Sequence, residues 1–243
     1  MIYRLKPELF NLDYSLDCGQ VFRWKKEKNW WTGVVRGQMA RLSQEKDSRV
    51  LVVDSKLSPE FFTHYFRLDD NLPFIYESIN RDLLIDRAIQ KYRGLRLIRQ
   101  DPWECLISYM LATASSIPTI QKRIYLLSKY FGEELENGYF SFPSPEILAN
   151  ADLSLLEKCK LGFRTERIKT AACEVASGKL DLRALQVMEY STSREQLMKV
   201  RGIGEKVADC VLLFSFGKME AFPVDTHIRQ IIQHYHIDDS FFD

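Results

Sequence analysis

Cysteine is scarce in this chain. Only Cys18, Cys105, Cys159, Cys173 and Cys210 occur among 243 residues. The count is odd, no two stand in a C-x-x-C pair, and no metal-ligand spacing is present. A disulfide scaffold and a zinc ribbon are excluded, and a reducing compartment is expected. Glycine (11) and proline (8) are also few, and no linker, repeat or low-complexity tract interrupts the chain. An excess of one charge is missing too: 34 Lys and Arg face 33 Asp and Glu, for a net charge of +1. A globally basic nucleic-acid binder is therefore excluded, and any such binding must use a local patch. No apolar run reaches membrane-spanning length, and the opening M-I-Y-R-L-K-P-E lacks the apolar stretch of a signal peptide. The expectation is a soluble intracellular protein without a membrane partner, in a microbial cytoplasm or nucleoid, or in a eukaryotic nucleus.

What is present divides the chain in two. Val21 to Asp54 is rich in aromatic and β-branched residues with frequent polar alternation: V-F-R-W-K, W-W-T-G-V-V-R-G, M-A-R-L-S, R-V-L-V-V-D. Turns around Lys28-Asn29, Gly37-Gln38 and Lys46-Asp47 make this an antiparallel meander. From about Ser58 the pattern is helical. Asp101-Pro102-Trp103-Glu104 predicts a capped helix start with proline in the first turn, and Ser144-Pro145-Glu146 repeats the device. Asp225 predicts the cap of a helix reading T-H-I-R-Q-I-I-Q. The expected fold is α+β: a small antiparallel β domain with flanking helices over residues 1–97, then a mostly α-helical domain over 98–243.

The most informative stretch is V-R-G-I-G-E-K-V, Val200 to Val207, followed by P-V-D-T-H, Pro223 to His227. Leu197, Val200 and Ile203 are apolar anchors of two helices joined by a turn, and Gly202 and Gly204 relieve its backbone. The second helix opens with unpaired N–H groups and a positive dipole end, a site for one or two phosphates. Such a grip reads no base edge. A bare G-x-G is more often a plain connecting turn, but L-x-x-V-x-G-I-G-x-K-V-A-D is longer and more specific. Lys158 to Lys206 also carries 11 basic against 6 acidic residues. Lys206 opens the second helix, where the dipole disfavours a cation, so its placement suggests an amine nucleophile. Cys210, four residues on, shares its face and is either core filler or a polarisable surface for a flipped base. Asp225 is first a helix cap, and a carboxylate fixed there is also a charge able to stabilise positive character at a sugar carbon. His227 is either a surface histidine or a phosphate donor.

These residues resemble the helix-hairpin-helix DNA glycosylases, and within them the 8-oxoguanine DNA glycosylases. The resemblance runs over nearly the whole chain: D-C-G-Q-V-F-R-W from Asp17, D-P-W-E from Asp101, L-G-F-R from Leu161, G-I-G-E-K-V-A-D-C from Gly202, and P-V-D-T-H. It implies a bifunctional glycosylase/lyase acting on duplex DNA that contains oxidised guanine. Lys206 would be the nucleophile at C1′, passing through a Schiff base to β-elimination, with Asp225 stabilising the oxocarbenium-like transition state. The damaged base would be flipped into a pocket. There the Gly19 carbonyl would accept N7–H of 8-oxoguanine, and Cys210 would pack on the base. Phe163 and Arg164 would engage the opposite strand. Gly202, Gly204 and His227 would hold phosphate, and the backbone carbonyls of Met198, Val200 and Ile203 would hold a structural ion. The resemblance implies no catalytic cofactor and, without a cysteine-rich tail, no iron–sulfur cluster. A monomer is expected.

Two departures matter. Ala114 stands where animal members of the family carry a gap-filling asparagine, and Thr119 where they carry a second cytosine-reading arginine, so the opposite-base preference is expected to be relaxed. The family also continues into a further helix, whereas here only 16 residues follow His227 and Phe241 and Phe242 lie near the end; either the sequence is a piece of a longer chain or part of the pocket is missing. Two other functions remain open: an alkylbase glycosylase using the carboxylate alone, which Lys206 argues against, and a non-enzymatic DNA-damage-binding module.

Overall fold

The computed structural model describes residues 1–45 and 49–235. The expected turn at Lys46-Asp47, and Phe241 and Phe242, lie outside them. Five antiparallel strands form one sheet in the order β1-β5-β4-β3-β2. Strands β2 (Trp24–Glu27), β3 (Trp30–Val35), β4 (Gln38–Gln44) and β5 (Leu51–Ser55) are the expected meander. The β3–β4 turn falls one residue earlier than anticipated, on Arg36 and Gly37 at φ 51° and 68°. Two consecutive positive φ values give the turn whose twist matches flanking strands. Strand β1 (Ile2–Leu5) was not anticipated and pairs with β5 at the far edge, Ile2 opposite Asp54.

One glycine shapes the sheet's packing. Gly33 lies opposite Trp24, and a Cβ on it would sit 2.6 Å from the Trp24 ring. The bare backbone lets the indole lie across the sheet, where its Nε1 donates to the Tyr65 hydroxyl at 2.9 Å. Trp24, Trp31, Leu42, Leu51 and Val53 then bury against Phe62 and Phe66, contributed by and just beyond α2 (Pro59–Tyr65).

Helices α1 (Leu12–Asp17), α3 (Leu72–Ile79) and α4 (Leu83–Lys91) flank this layer. A second core is built from α5 (Pro102–Ala112), α6 (Ile117–Phe131), α7 (Pro145–Ala149), α8 (Leu153–Glu157), α9 (Thr165–Ala176), α10 (Tyr190–Met198) and α11 (Glu205–Phe216). The three predicted caps are in place. Asp101 accepts from the Trp103 and Glu104 amides, Ser144 from Ile147, and Asp225 from His227 and Ile228 at the start of α12 (Thr226–His234).

The two cores are joined by specific polar links. Gln20 is buried; its amide donates to the Ser15 and Arg96 carbonyls and accepts from the Ile98 amide. Two residues on, the Gln100 amide donates to the Phe214 carbonyl on α11. Arg23 reaches Glu104 on α5 at 2.9 Å, and Phe22 enters the second core. The D-C-G-Q-V-F-R-W stretch is therefore the seam that positions the N-terminal sheet against α5.

Candidate active site

The hairpin consists of α10, a turn at Lys199–Gly204, and α11. Leu197, Val200 and Ile203 are buried as expected. Gly202 has φ +97°, and a Cβ there would meet Arg167 Cδ at 2.7 Å. Gly204 is different. It caps α11 in extended backbone (φ −101°), and a Cβ on it would project into open space, so its amide end is accessible to a ligand. The two helices are locked by a residue that sequence reasoning did not single out. Asp209, 5% exposed, accepts from Arg194 Nε at 2.9 Å and from the Tyr190 hydroxyl at 2.8 Å, both on α10. Burial, and then that carboxylate, push the Tyr190 hydroxyl up to about 12.

Lys206 sits on the first turn of α11, half-buried, with Nζ 5.2 Å from the centroid of the Tyr109 ring. Cys210, one turn along, is buried. Desolvation pushes its thiol up to about 12; Lys206 pulls it down, and Asp209 and Asp225 push it up, so both Lys206 and Asp225 act electrostatically on this sulfur. The thiol stays protonated and apolar. Cys210 belongs to the second core, as the core-filler reading expects.

Tyr109, on α5, was also missed. Its ring stacks on Phe214 (5.6 Å, 6°) and meets Phe22 edge-on at 5.8 Å, and its hydroxyl donates to the Gln20 carbonyl at 3.2 Å. Gln100 Nε2 donates to the same carbonyl at 2.6 Å. Gly19, φ +84°, immediately precedes this anchored residue, and a Cβ on it would touch Ile117 at the start of α6. Lys206 and the Gly19–Gln20 segment thus meet at one tyrosine, with Cys210 one turn from Lys206 on α11. An isolated aromatic on a core helix carries no sequence signal, so nothing in the chain distinguished Tyr109 from its neighbours.

Phe163, Arg164, Ala114 and Thr119 form a second group around the α5–α6 turn. Phe163 is 60% exposed, with the guanidinium carbons of Arg164 and Arg167 at 4.1 and 5.0 Å from its ring centroid. Arg164 itself is buried, donating to the Thr113 carbonyl and to Ser115 Oγ. Arg123 also donates to Ser115 Oγ, at 2.6 Å. Desolvation, followed by repulsion from Arg123 and Arg167, lowers the Arg164 guanidinium from its usual range. Ala114 holds φ +48°, a left-handed geometry costing a non-glycine residue about 1–2 kcal/mol. Thr119 pairs with Ser116 through their hydroxyls at 2.9 Å. His227 is exposed on the first turn of α12, two residues from Asp225. Among the described residues no three His, Cys, Asp or Glu side chains gather as a metal site. None of the described helices is long and apolar enough to cross a membrane.

A β-sheet leading into a helical body, with a glycine hairpin and a lysine at its second helix, defines the helix-hairpin-helix class of base-excision glycosylase folds. Residues 2–106 match the family model of the 8-oxoguanine DNA glycosylase N-terminal domain, and residues 113–241 match that of the HhH-GPD superfamily base excision DNA repair proteins. This chain belongs to the 8-oxoguanine DNA glycosylase family of that superfamily. A probable N-glycosylase/DNA lyase of Methanothermobacter thermautotrophicus is 31% identical over 79% of this chain and 68% of its own length. Among solved structures, that of MBOgg1 in complex with a low-affinity DNA ligand has a TM-score of 0.92 at 34% identity, covering 97% of this chain and 84% of that one. The Clostridium acetobutylicum 8-oxoguanine glycosylase/lyase, bound to duplex DNA with cytosine opposite 8-oxoG, has a TM-score of 0.89 at 29% identity, covering 98% and 87%. The chain spans about two thirds of the length of the curated relatives it matches.

Proposed function

We propose that this protein is a bifunctional DNA glycosylase/lyase that removes 8-oxoguanine from duplex DNA. The observation that carries this reading is the meeting, at Tyr109, of the Lys206 amine on α11 and the Gly19–Gln20 segment. The flipped nucleotide is held with its base against Cys210 and its N7–H donated to the Gly19 carbonyl, an interaction that guanine, with a lone pair at N7, does not make. The Lys206 amine bonds to C1′ as the C1′–N9 bond breaks, its proton passing to the departing base. Asp225 stabilises the positive charge passing through the sugar. Ring opening gives the Schiff base. Loss of a C2′ proton then expels the 3′ phosphate and nicks the strand.

Phosphate is gripped by the open amide end at Gly204, with Gly202 shaping the turn and His227 donating from α12. The neutral carbonyls of Met198, Val200 and Ile203 would hold a hard cation, whose positive charge would favour phosphate at the hairpin, and no catalytic cofactor enters the scheme. Phe163 wedges into the duplex, and Arg164 would have to leave its inward bonds to Thr113 and Ser115 to read the opposite base. Ala114 and Thr119 replace two polar contacts of the animal enzymes. Loss of one bidentate donor relaxes the preference for opposite cytosine by about 1–3 kcal/mol, and excision from duplexes with C, A, G or T opposite the lesion measures it. The enzyme acts as a monomer in the compartment that holds the genome, and the chain divides into domains near residue 97.

Sodium borohydride trapping on a duplex with one 8-oxoguanine tests the reading. A covalent adduct is expected with this chain and none with Lys206→Gln. Tight lesion binding without an adduct would instead favour a DNA-damage-binding module.

A further inference from the structure

We propose that Tyr109 is a positioning residue for both halves of the reaction: its ring anchors the Lys206 amine, and its hydroxyl fixes the Gly19–Gln20 segment. The proposal rests on Lys206 being the nucleophile. Phe214 stacks flat on one side of the ring and Phe22 abuts it edge-on, so its orientation is determined by packing and the amine finds a fixed π face. At that depth the hydroxyl would be costly without a partner; it spends its proton on the Gln20 carbonyl. Burial first, and then the thiols of Cys105, Cys210 and Cys18, push the phenol well above its usual range. It stays neutral and remains a donor. A core position alone would be served by phenylalanine. What tyrosine adds is a link between the backbone that reads the lesion and the amine that attacks it.

Single-turnover borohydride trapping on two duplexes separates the two roles. One contains 8-oxoguanine; the other contains an abasic site, which needs the lysine but no base reading. Tyr109→Leu, lacking the ring, is expected to slow trapping on both duplexes by about tenfold, through loss of the packed surface that orients the amine toward C1′. Tyr109→Phe keeps the ring. It is expected to weaken half-saturation on the 8-oxoguanine duplex about fivefold, with a much smaller effect on the abasic one, since only one of two donors to the Gln20 carbonyl is lost. A purely structural role would lower rate and affinity together on both duplexes in Leu, and Phe would match the wild type on both, which would overturn the role given to the hydroxyl.

The proposal is overturned if Leu traps the abasic duplex at the wild-type rate, or if Phe is impaired equally on both. Should Leu fail to fold, judged by its melting curve, Tyr109→Met tests the ring and the Phe comparison tests the hydroxyl. If the parent chain forms no adduct, or Lys206→Gln still forms one, the nucleophile assignment itself fails and this proposal falls with it.

Discussion

Replacing each hairpin glycine by alanine separates the backbone demands of the turn from its contact with phosphate. At Gly202, φ of +97° is unfavourable to any L side chain, which costs about 1–2 kcal/mol. The new Cβ also displaces the Arg167 stem, 2.7 Å away, and with it one of the two guanidinium groups over Phe163. At Gly204 neither cost applies: the backbone is extended and the Cβ meets nothing. Losing a glycine N-cap costs about 0.5 kcal/mol. Lower chain entropy of unfolded alanine returns about the same amount. A melting experiment should therefore show Tm lowered by about 3–6 °C for Gly202→Ala, on the scale of 2–4 °C per kcal/mol for a chain of this size, and nearly unmoved for Gly204→Ala. Both should bind undamaged duplex more weakly, because a methyl at residue 204 stands where phosphate must approach the amides. Wild-type affinity in Gly204→Ala would refute the phosphate grip. An unaltered Tm in Gly202→Ala would refute the strain argument.

Asp225→Asn keeps an equally good helix cap while removing the charge; base excision should fall by about 10²–10³-fold with Tm nearly constant, and a fall in Tm of many degrees would mean that the carboxylate is mainly structural. Arg194→Met leaves the buried Asp209 carboxylate with the Tyr190 hydroxyl alone, and chemical denaturation should show a loss of about 2–3 kcal/mol. Gly33→Ala places a methyl against the Trp24 ring and should destabilise the fold by about 1–3 kcal/mol, measurable in the same assay without a change in trapping by the folded fraction. Thr119→Arg, beside the Arg123–Ser115–Arg164 cluster, should raise the preference for opposite cytosine; equal excision across the four opposing bases would speak against that placement.

Much of the fold was legible because its signals are local. Asp101, Ser144 and Asp225 cap helices through amides two or three residues away, and the meander declares itself by alternation and turn residues within a few positions. Strand β1 was missed because its partner β5 lies some fifty residues on, and four residues alone carry too little pattern. The hairpin could be read because its anchors and glycines are contiguous. Its Asp209–Arg194–Tyr190 lock could not, since a carboxylate on a helix is ordinarily solvated until the partner helix lies against it.

The sequence alone determined the two-part α+β architecture, the capped helices and the hairpin with its lysine, all of which depend on neighbours along the chain. Tertiary structure decided which distant residues meet. Packing of α5 against α11 places Tyr109 under Lys206, and the Gln20 seam carries Gly19 to the same place. It also decided that Arg164 turns inward to Thr113 and Ser115 while Phe163 stays exposed. Side-chain direction depends on which surfaces close over it, and no local pattern encodes that.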